Sequence, residues 1–169
     1  IGLSGVGGLF TEPVLKQISK LNKNPVIFAL SNPTLNAECT AEQAYKWTEG
    51  NCIFASGSPF KKVTINGHTF DPGQCNNIYI FPGVGLGVIS AHSKNLNDEM
   101  FLIAAQTIPE FLTNEDLKIG RIFPKLSKIR EISLTIAKNI CLLTTDKSIN
   151  KKNELMINDS IKSHMFNAK

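Results

Sequence analysis

The chain has 169 residues, 42% of them apolar and 19% charged, with a formal net charge of +4, a size and composition that fit one ordinary globular domain or two incomplete ones. No apolar run approaches the ~20 residues of a membrane-spanning helix. The only dense basic group, Lys147, Lys151 and Lys152, sits among polar neighbours and not between aromatics, so neither a membrane nor a nucleic acid is expected as a partner.

The chain opens on Ile1-Gly2-Leu3-Ser4-Gly5, with no initiator Met and no basic or Arg-rich leader; this start reads as a cut within a longer protein. Gly2, Gly5, Gly7 and Gly8 form a turn, and Thr11-Glu12-Pro13 supplies an N-cap, an acidic first turn and an early proline. A helix is predicted there, with Val14, Leu15, Ile18 and Leu21 as its apolar stripe. Pro25 to Leu30 is a short continuous apolar run, the pattern of a strand covered on both faces. Thr40-x-x-Gln43 predicts a capping box for a second helix, closed by Gly50, and Cys52 to Ala55 a second buried strand. Helices alternating with short apolar runs argue for a doubly wound α/β sheet, whose ligands gather at the carboxyl ends of strands.

Val63 to Phe70 alternates around Asn66-Gly67 and predicts a β-hairpin. Asp71 to Asn77 reads as a polar connection, and Ile78-Tyr79-Ile80-Phe81 as another buried strand stopping at Pro82-Gly83. Gly83, Gly85 and Gly87 then open a helix expected to pack closely on that strand. Asp98 and Glu99 mark the next helix start, with Phe101, Ala104, Ala105 and Ile108 as its stripe and Pro109 as its kink or end. After Thr113-Asn114-Glu115-Asp116, one long helix carries Ile129, Ile132, Ile136 and Ile140 on a single face. Beyond Thr144 the sequence is polar and weakly patterned, the mark of a surface tail.

Neither glycine cluster matches a dinucleotide fingerprint: Phe10 stands where the third glycine after Gly5-x-Gly7 belongs, and Gly87 comes one place early after Gly83-x-Gly85. Structural turns are the simpler reading of both. Asparagines are more informative, because a neutral amide offers two N–H donors to a carboxylate without adding a charge. Asn32 follows the strand ending at Leu30, and Pro33 keeps it out of the helical region, so its side chain is expected to project at a carboxyl end. By spacing alone it also reads as a turn-completing residue. Asn76-Asn77 precedes a predicted strand and reads equally as a loop pair. His68, His92 and His164 have no neighbouring nucleophile or acid, and Cys39, Cys52, Cys75 and Cys141 form no C-x-x-C pair and no zinc-type spacing with them. Reduced thiols in the cytosol or the mitochondrial matrix fit this usage, with packing as the default role of Cys39 and Cys75. No Gly-x-Ser-x-Gly elbow occurs.

Four blocks in order carry a resemblance to the malic enzymes. They are Ile1 to Thr11 (IGLSGVGGLFT), Pro25 to Thr34 (PVIFALSNPT) with the following AECTAE-x-AY, Phe54 to Phe60 (FASGSPF), and Asn76 to Gly83 (NN-x-YIFPG). The resemblance is strong over residues 1 to about 143. It implies the C-terminal part of a Rossmann-like doubly wound NAD(P)-binding domain (residues 1–76), then mostly helical α/β segments returning to a central domain (77–148), then a polar tail (149–169). It also implies oxidative decarboxylation of (S)-malate to pyruvate and CO₂ with reduction of NAD or NADP, assisted by Mg²⁺ or Mn²⁺ in a homodimer or homotetramer. The tyrosine acid, the lysine base and the metal ligands are expected upstream of Ile1, so the 169 residues alone are expected to be inactive.

Carried over residue by residue, the resemblance assigns Asn32, Asn76 and Asn77 to the substrate. Asn32, Ser31, Leu3, Ser4 and Gly57 fall to the cofactor. Cys75 departs from the family's Gly-Gln-Gly-Asn-Asn, and a side chain there would crowd the loop if the position needed φ > 0; Pro109 departs from the family within a helix. Two alternatives stay open at this point: an NAD(P)-dependent dehydrogenase that does not decarboxylate, and a stand-alone nucleotide-binding module without catalysis.

Overall fold

In the computed structural model, which describes residues 1–144 and 151–165, the chain divides into two units: Ile1–Asn76 with Leu112–Pro124, and Asn77–Phe111 with Lys125–Lys169. The first unit is built on short parallel strands. After helix α1 (Glu12–Leu21) come β1 (Val26–Ala29), helix α2 (Ala41–Trp47) and β2 (Ile53–Ser56). A hairpin of β3 (Val63–Ile65) and β4 (His68–Phe70) then leads to β5 (Gly73–Gln74). β1, β2 and β5 lie side by side in that order, all parallel. The opening segment extends the same sheet: Gly2 bridges Ala29 in parallel, its N–H donating to the Phe28 carbonyl at 2.8 Å while the Leu30 N–H donates to the Gly2 carbonyl at 3.0 Å. Chain order equals spatial order, as in one half of a doubly wound sheet.

Local chemistry accounts for the elements. At Thr40 both halves of the capping box form, and Asn66 and Gly67 take φ of 52° and 79°, the left-handed pair that a two-residue hairpin turn requires. α1 begins after Thr11 as expected, but its hydroxyl makes no capping bond. Of the α1 stripe, Leu15 is buried and Ile18 packs against the core, whereas Val14 and Leu21 are exposed. Leu15, Ile27, Ala29, Tyr45, Phe54 and Phe70 form that core, with Tyr45 and Phe70 stacked at 4.1 Å.

One expected element splits. In place of a long helix after Thr113 there is a short α5 (Asn114–Lys118), opened by a Thr113–Asp116 capping box, and a separate α6 (Ile129–Thr144). Gly120 causes the break: its φ is +72°, and a Cβ there would stand 3.1 Å from the Phe70 ring, so the chain turns back against β4 instead of continuing. Arg121, buried, then pairs with both Asp71 and Asp116 and fastens the returning segment to the residues just before β5.

In the second unit the expected strand Ile78–Phe81 is absent. Asn77–Tyr79 is a 3₁₀ turn and Phe81 begins helix α3 (Phe81–Ser90), with Pro82 in its first turn, where a missing N–H costs nothing. Four apolar residues in a row do not distinguish strand from buried helix. Gly83 and Gly87 of α3 therefore meet a helix and not a strand: a Cβ on Gly83 would lie 2.8 Å from Ile136 Cβ, and one on Gly87 3.0 Å from Ala137 Cα. α4 (Asp98–Thr107) is capped by the Asn97 side chain and ends as Pro109 enters a 3₁₀ turn (Ile108–Phe111). It buries Met100, Ala104 and Thr107, while Phe101 remains exposed.

The surface tail expected over 149–169 is corrected as well. Lys151–His164 is helix α7, and Ile161 is buried against Ala137 and Cys141. Residues 149, 150 and 166–169 of that stretch lie outside the described residues, as does Lys147 of the basic group.

Candidate functional site at the carboxyl ends of the parallel strands

Because the strands of the first unit run parallel, their carboxyl ends form one edge, and loops that are distant in sequence meet there. Leu3 and Ser4 leave the opening segment, Ser31 and Asn32 leave β1, Gly57 leaves β2, and Cys75 and Asn76 leave β5. By sequence Asn76 precedes an expected strand, which sets it apart from Asn32. In the structure it follows β5, a strand too short to show periodicity, and so meets the same topological rule as Asn32. Asn77 opens the second unit.

Close backbone packing shapes this edge. Gly57 donates its N–H to the Ala29 carbonyl at 3.0 Å, and a Cβ there would fall 2.1 Å from the Leu30 carbonyl oxygen. The Gln74 side chain donates to the Gly57 carbonyl at 2.9 Å, and the Cys75 N–H to the Ser56 carbonyl at 2.8 Å. Cys75 is not among the residues with positive φ, so its side chain is carried without the strain that replacing a left-handed glycine would bring.

Asn32 is exposed, joined to Pro33 by a cis peptide bond, and its amide makes no hydrogen bond with any described residue. Two N–H donors and one acceptor are thus available to a ligand. Leu3 is 75% exposed and presents an apolar side chain on the neighbouring strand end. Ser31 differs: it is buried, its hydroxyl donating to Glu38 and accepting the Gly5 N–H at 2.9 Å.

Glu38 is the residue that sequence reasoning passed over. Only 1% exposed, it lies between the buried Ala37 and Cys39. Its Oε1 accepts the Ser4 N–H at 2.9 Å, the Ser4 hydroxyl at 2.8 Å and the Ser31 hydroxyl, and its Oε2 accepts the Ser31 N–H at 3.3 Å. Burial alone would push the carboxyl pKa up; the hydrogen bonds from Ser31 and Ser4 outweigh it and hold the group at about 2. Its one sequence signal was an acidic residue set among small apolar ones just before a capping box.

The remaining candidates lie elsewhere. His68, His92 and His164 are exposed, and His92 and His164 belong to the second unit. Burial pushes the Cys39 thiol up to about 12 and the Cys52 thiol to about 11, which makes both poor nucleophiles. Among the described residues no three His, Cys, Asp or Glu side chains are grouped so as to hold a metal ion, and no helix is long and apolar enough to cross a membrane.

A family model described as "Malic enzyme, NAD binding domain" matches residues 1–144. Among individual proteins, the NADP-dependent malic enzyme of Dictyostelium discoideum is 54% identical over 140 residues, 83% of this chain and 26% of that protein. The mitochondrial NAD-dependent malic enzyme of Ascaris suum is 51% identical over 137 residues, 81% of this chain and 21% of that protein. The human mitochondrial NADP-dependent malic enzyme is 52% identical over 138 residues, 81% of this chain and 23% of that protein. The chain thus spans about a quarter of the length of the curated relatives it matches.

Proposed function

The chain belongs to the malic enzyme family, matching its NAD-binding domain over residues 1–144, and from that premise we propose that it forms one wall of the active site in an enzyme that oxidatively decarboxylates (S)-malate. Pyruvate and CO₂ are the products. The observation that carries the proposal is the Asn32 amide, exposed and unbonded at the carboxyl end of β1, with Ser31, Ser4, Leu3 and Gly57 on the adjoining strand ends.

A nicotinamide dinucleotide, NAD or NADP, suits this edge chemically: polar donors and an apolar side chain lie together, and a Cβ at Gly5 would point into open space. A bound dinucleotide would supply the hydride acceptor for malate C2. Asn32 supplies a neutral amide to the malate carboxylate and to the nicotinamide ribose, which orients the reacting carbon without adding a charge beside it. Leu3, Ser4, Ser31 and Gly57 line the cofactor side, and Asn76 with Asn77 contact malate from the β5 end. A divalent metal has no ligand set among the described residues, so no step through it is assigned to this chain. The whole protein is proposed to be a homo-oligomer of the cytosol or the mitochondrial matrix.

The test is turnover of (S)-malate by the whole protein with NAD⁺ or NADP⁺ and Mn²⁺, assayed for reduced dinucleotide, pyruvate and CO₂. Equal yields of all three are expected. Oxaloacetate accumulating without CO₂ would instead identify a non-decarboxylating dehydrogenase, and no dinucleotide binding at all would remove the proposal.

A further inference from the structure

Beyond the Gly2–Ala29 bridge no strand pairing joins the loops that carry Ser4 and Ser31, yet both converge on a single buried carboxylate. Glu38 accepts two hydrogen bonds from Ser4 and two from Ser31. The contact extends one residue further, because the Ser31 hydroxyl, whose proton is committed to Glu38, must offer a lone pair outward and takes the Gly5 N–H at 2.9 Å. On the other loop the Ser4 hydroxyl accepts the Val6 N–H at 3.1 Å. All four groups that reach Glu38 are neutral donors, so an acceptor-only carboxylate satisfies each of them and a group with N–H of its own cannot.

From this geometry we infer that Glu38 is a positioning residue for the dinucleotide site, holding the opening glycine-rich loop against the loop that carries Asn32. The inference rests on the proposed cofactor role of Ser4 and Ser31. It goes beyond it in assigning their placement to one side chain that does not itself face the ligand. Glu38→Gln keeps the size of the side chain but replaces one acceptor oxygen with a donor. In either orientation that donor meets a backbone N–H, of Ser31 or of Ser4, and that contact between a loop and the side chain is lost.

The experiment uses the whole protein and measures dinucleotide Kd by quenching or enhancement of fluorescence, together with the KM values for dinucleotide and malate. Glu38→Gln is expected to raise the dinucleotide Kd and KM at least tenfold and the malate KM by a clearly smaller factor, the latter because Asn32 shares the Ser31 loop. A general loss of folding would not produce that split. Gly2→Ala is the second variant, because its Cβ would lie 2.5 Å from Glu38 Cδ and Cγ and displace the carboxylate without altering its chemistry; it should shift the dinucleotide Kd in the same sense. Ser31→Ala combined with Glu38→Gln should be little worse than Glu38→Gln alone, since both act through one contact. If Glu38→Gln and Gly2→Ala bind dinucleotide with unchanged Kd while Asn32→Ala is impaired, the inference about Glu38 fails and the site stands. If none of the three affects dinucleotide or malate, the site itself has been misassigned.

Discussion

Asn32 and Glu38 lie six positions apart and represent two ways in which a polar side chain serves a site. Asn32 is exposed with its amide unbonded, so it has hydrogen-bonding capacity for a ligand, whereas Glu38 is buried with both oxygens occupied by the protein. Asn32→Ala is therefore expected to leave stability nearly unchanged while raising the malate KM and lowering kcat. The loss in kcat/KM should be about 1–3 kcal/mol, the worth of one hydrogen bond to a charged group. Steady-state kinetics on the whole protein measures it, and unchanged constants would exclude Asn32 from the site. Glu38 should register in stability against pH. Its carboxyl falls from an ordinary 4.5 to about 2 on folding, so its stabilising contribution is complete above about pH 4.5 and disappears as pH drops toward 2. That contribution is roughly 3 kcal/mol. Denaturant unfolding of wild type and Glu38→Gln should show the gap between them narrowing by about that amount from pH 6 to pH 2; a constant gap would contradict it. Burial raises all four thiols, but Cys75 alone is half-buried where Cys39, Cys52 and Cys141 are buried. Iodoacetamide at pH 8 should modify Cys75 first and the other three only after denaturation, as peptide mass mapping would reveal. The asparagine was legible in the sequence because a proline follows it at a strand end. Glu38 was not, since its four partners lie seven and thirty-four positions away.

Among the elements, helix α3 tests how helix packing departs from a strand expectation. Its glycines are unequal: Gly83 and Gly87 face α6 with no room for a methyl group, while a Cβ at Gly85 would meet nothing within 4 Å. Gly85→Ala should be neutral or stabilising by about 0.5–1 kcal/mol, because alanine loses less conformational freedom in a helix. Gly87→Ala should destabilise by about 1–3 kcal/mol, because it forces Ile140 or the α6 backbone to move. Thermal unfolding of the two variants side by side provides the comparison, and equal midpoints would mean that α3 does not pack on α6 through this face. The spacing of these glycines was visible from the start. Their partner differs from the expected one because Ile78–Phe81 reads as a strand, and only the tertiary structure, with Pro82 in the first turn of a helix and Tyr79 buried in a 3₁₀ turn, resolves that run. The hairpin turn and the capping box at Thr40 were legible because each is settled within four residues.

For the whole molecule, the parallel sheet brings the candidate residues together, and family membership supplies the chemistry proposed for them. A polypeptide of these 169 residues alone is expected to give no malate-dependent reduction of NAD⁺ or NADP⁺, because the described residues hold no group of metal ligands. Absorbance at the reduced nicotinamide band with Mn²⁺ present is the measurement, and turnover above a no-protein control would overturn it. The two units meet in the chain between Asn76 and Asn77, but the first also takes in Leu112–Pro124. The simple division expected from the sequence had no place for that return, which depends on Arg121 reaching Asp71 across fifty positions.

The amino-acid sequence by itself determined the family, the alternation of helix and strand before residue 66, the turn at Asn66-Gly67, and Asn32 as an amide at a strand end, since caps, tight turns and short motifs are decided by neighbours along the chain. The tertiary structure decided that Gly73-Gln74 is a strand, that Ile78–Phe81 is not one, that Ile161 packs a helix where a tail was expected, and that Ser4 and Ser31 meet on Glu38. Each of these depends on a partner remote in sequence. A two-residue strand or a buried carboxylate has no periodicity of its own and is defined by what lies opposite it in space.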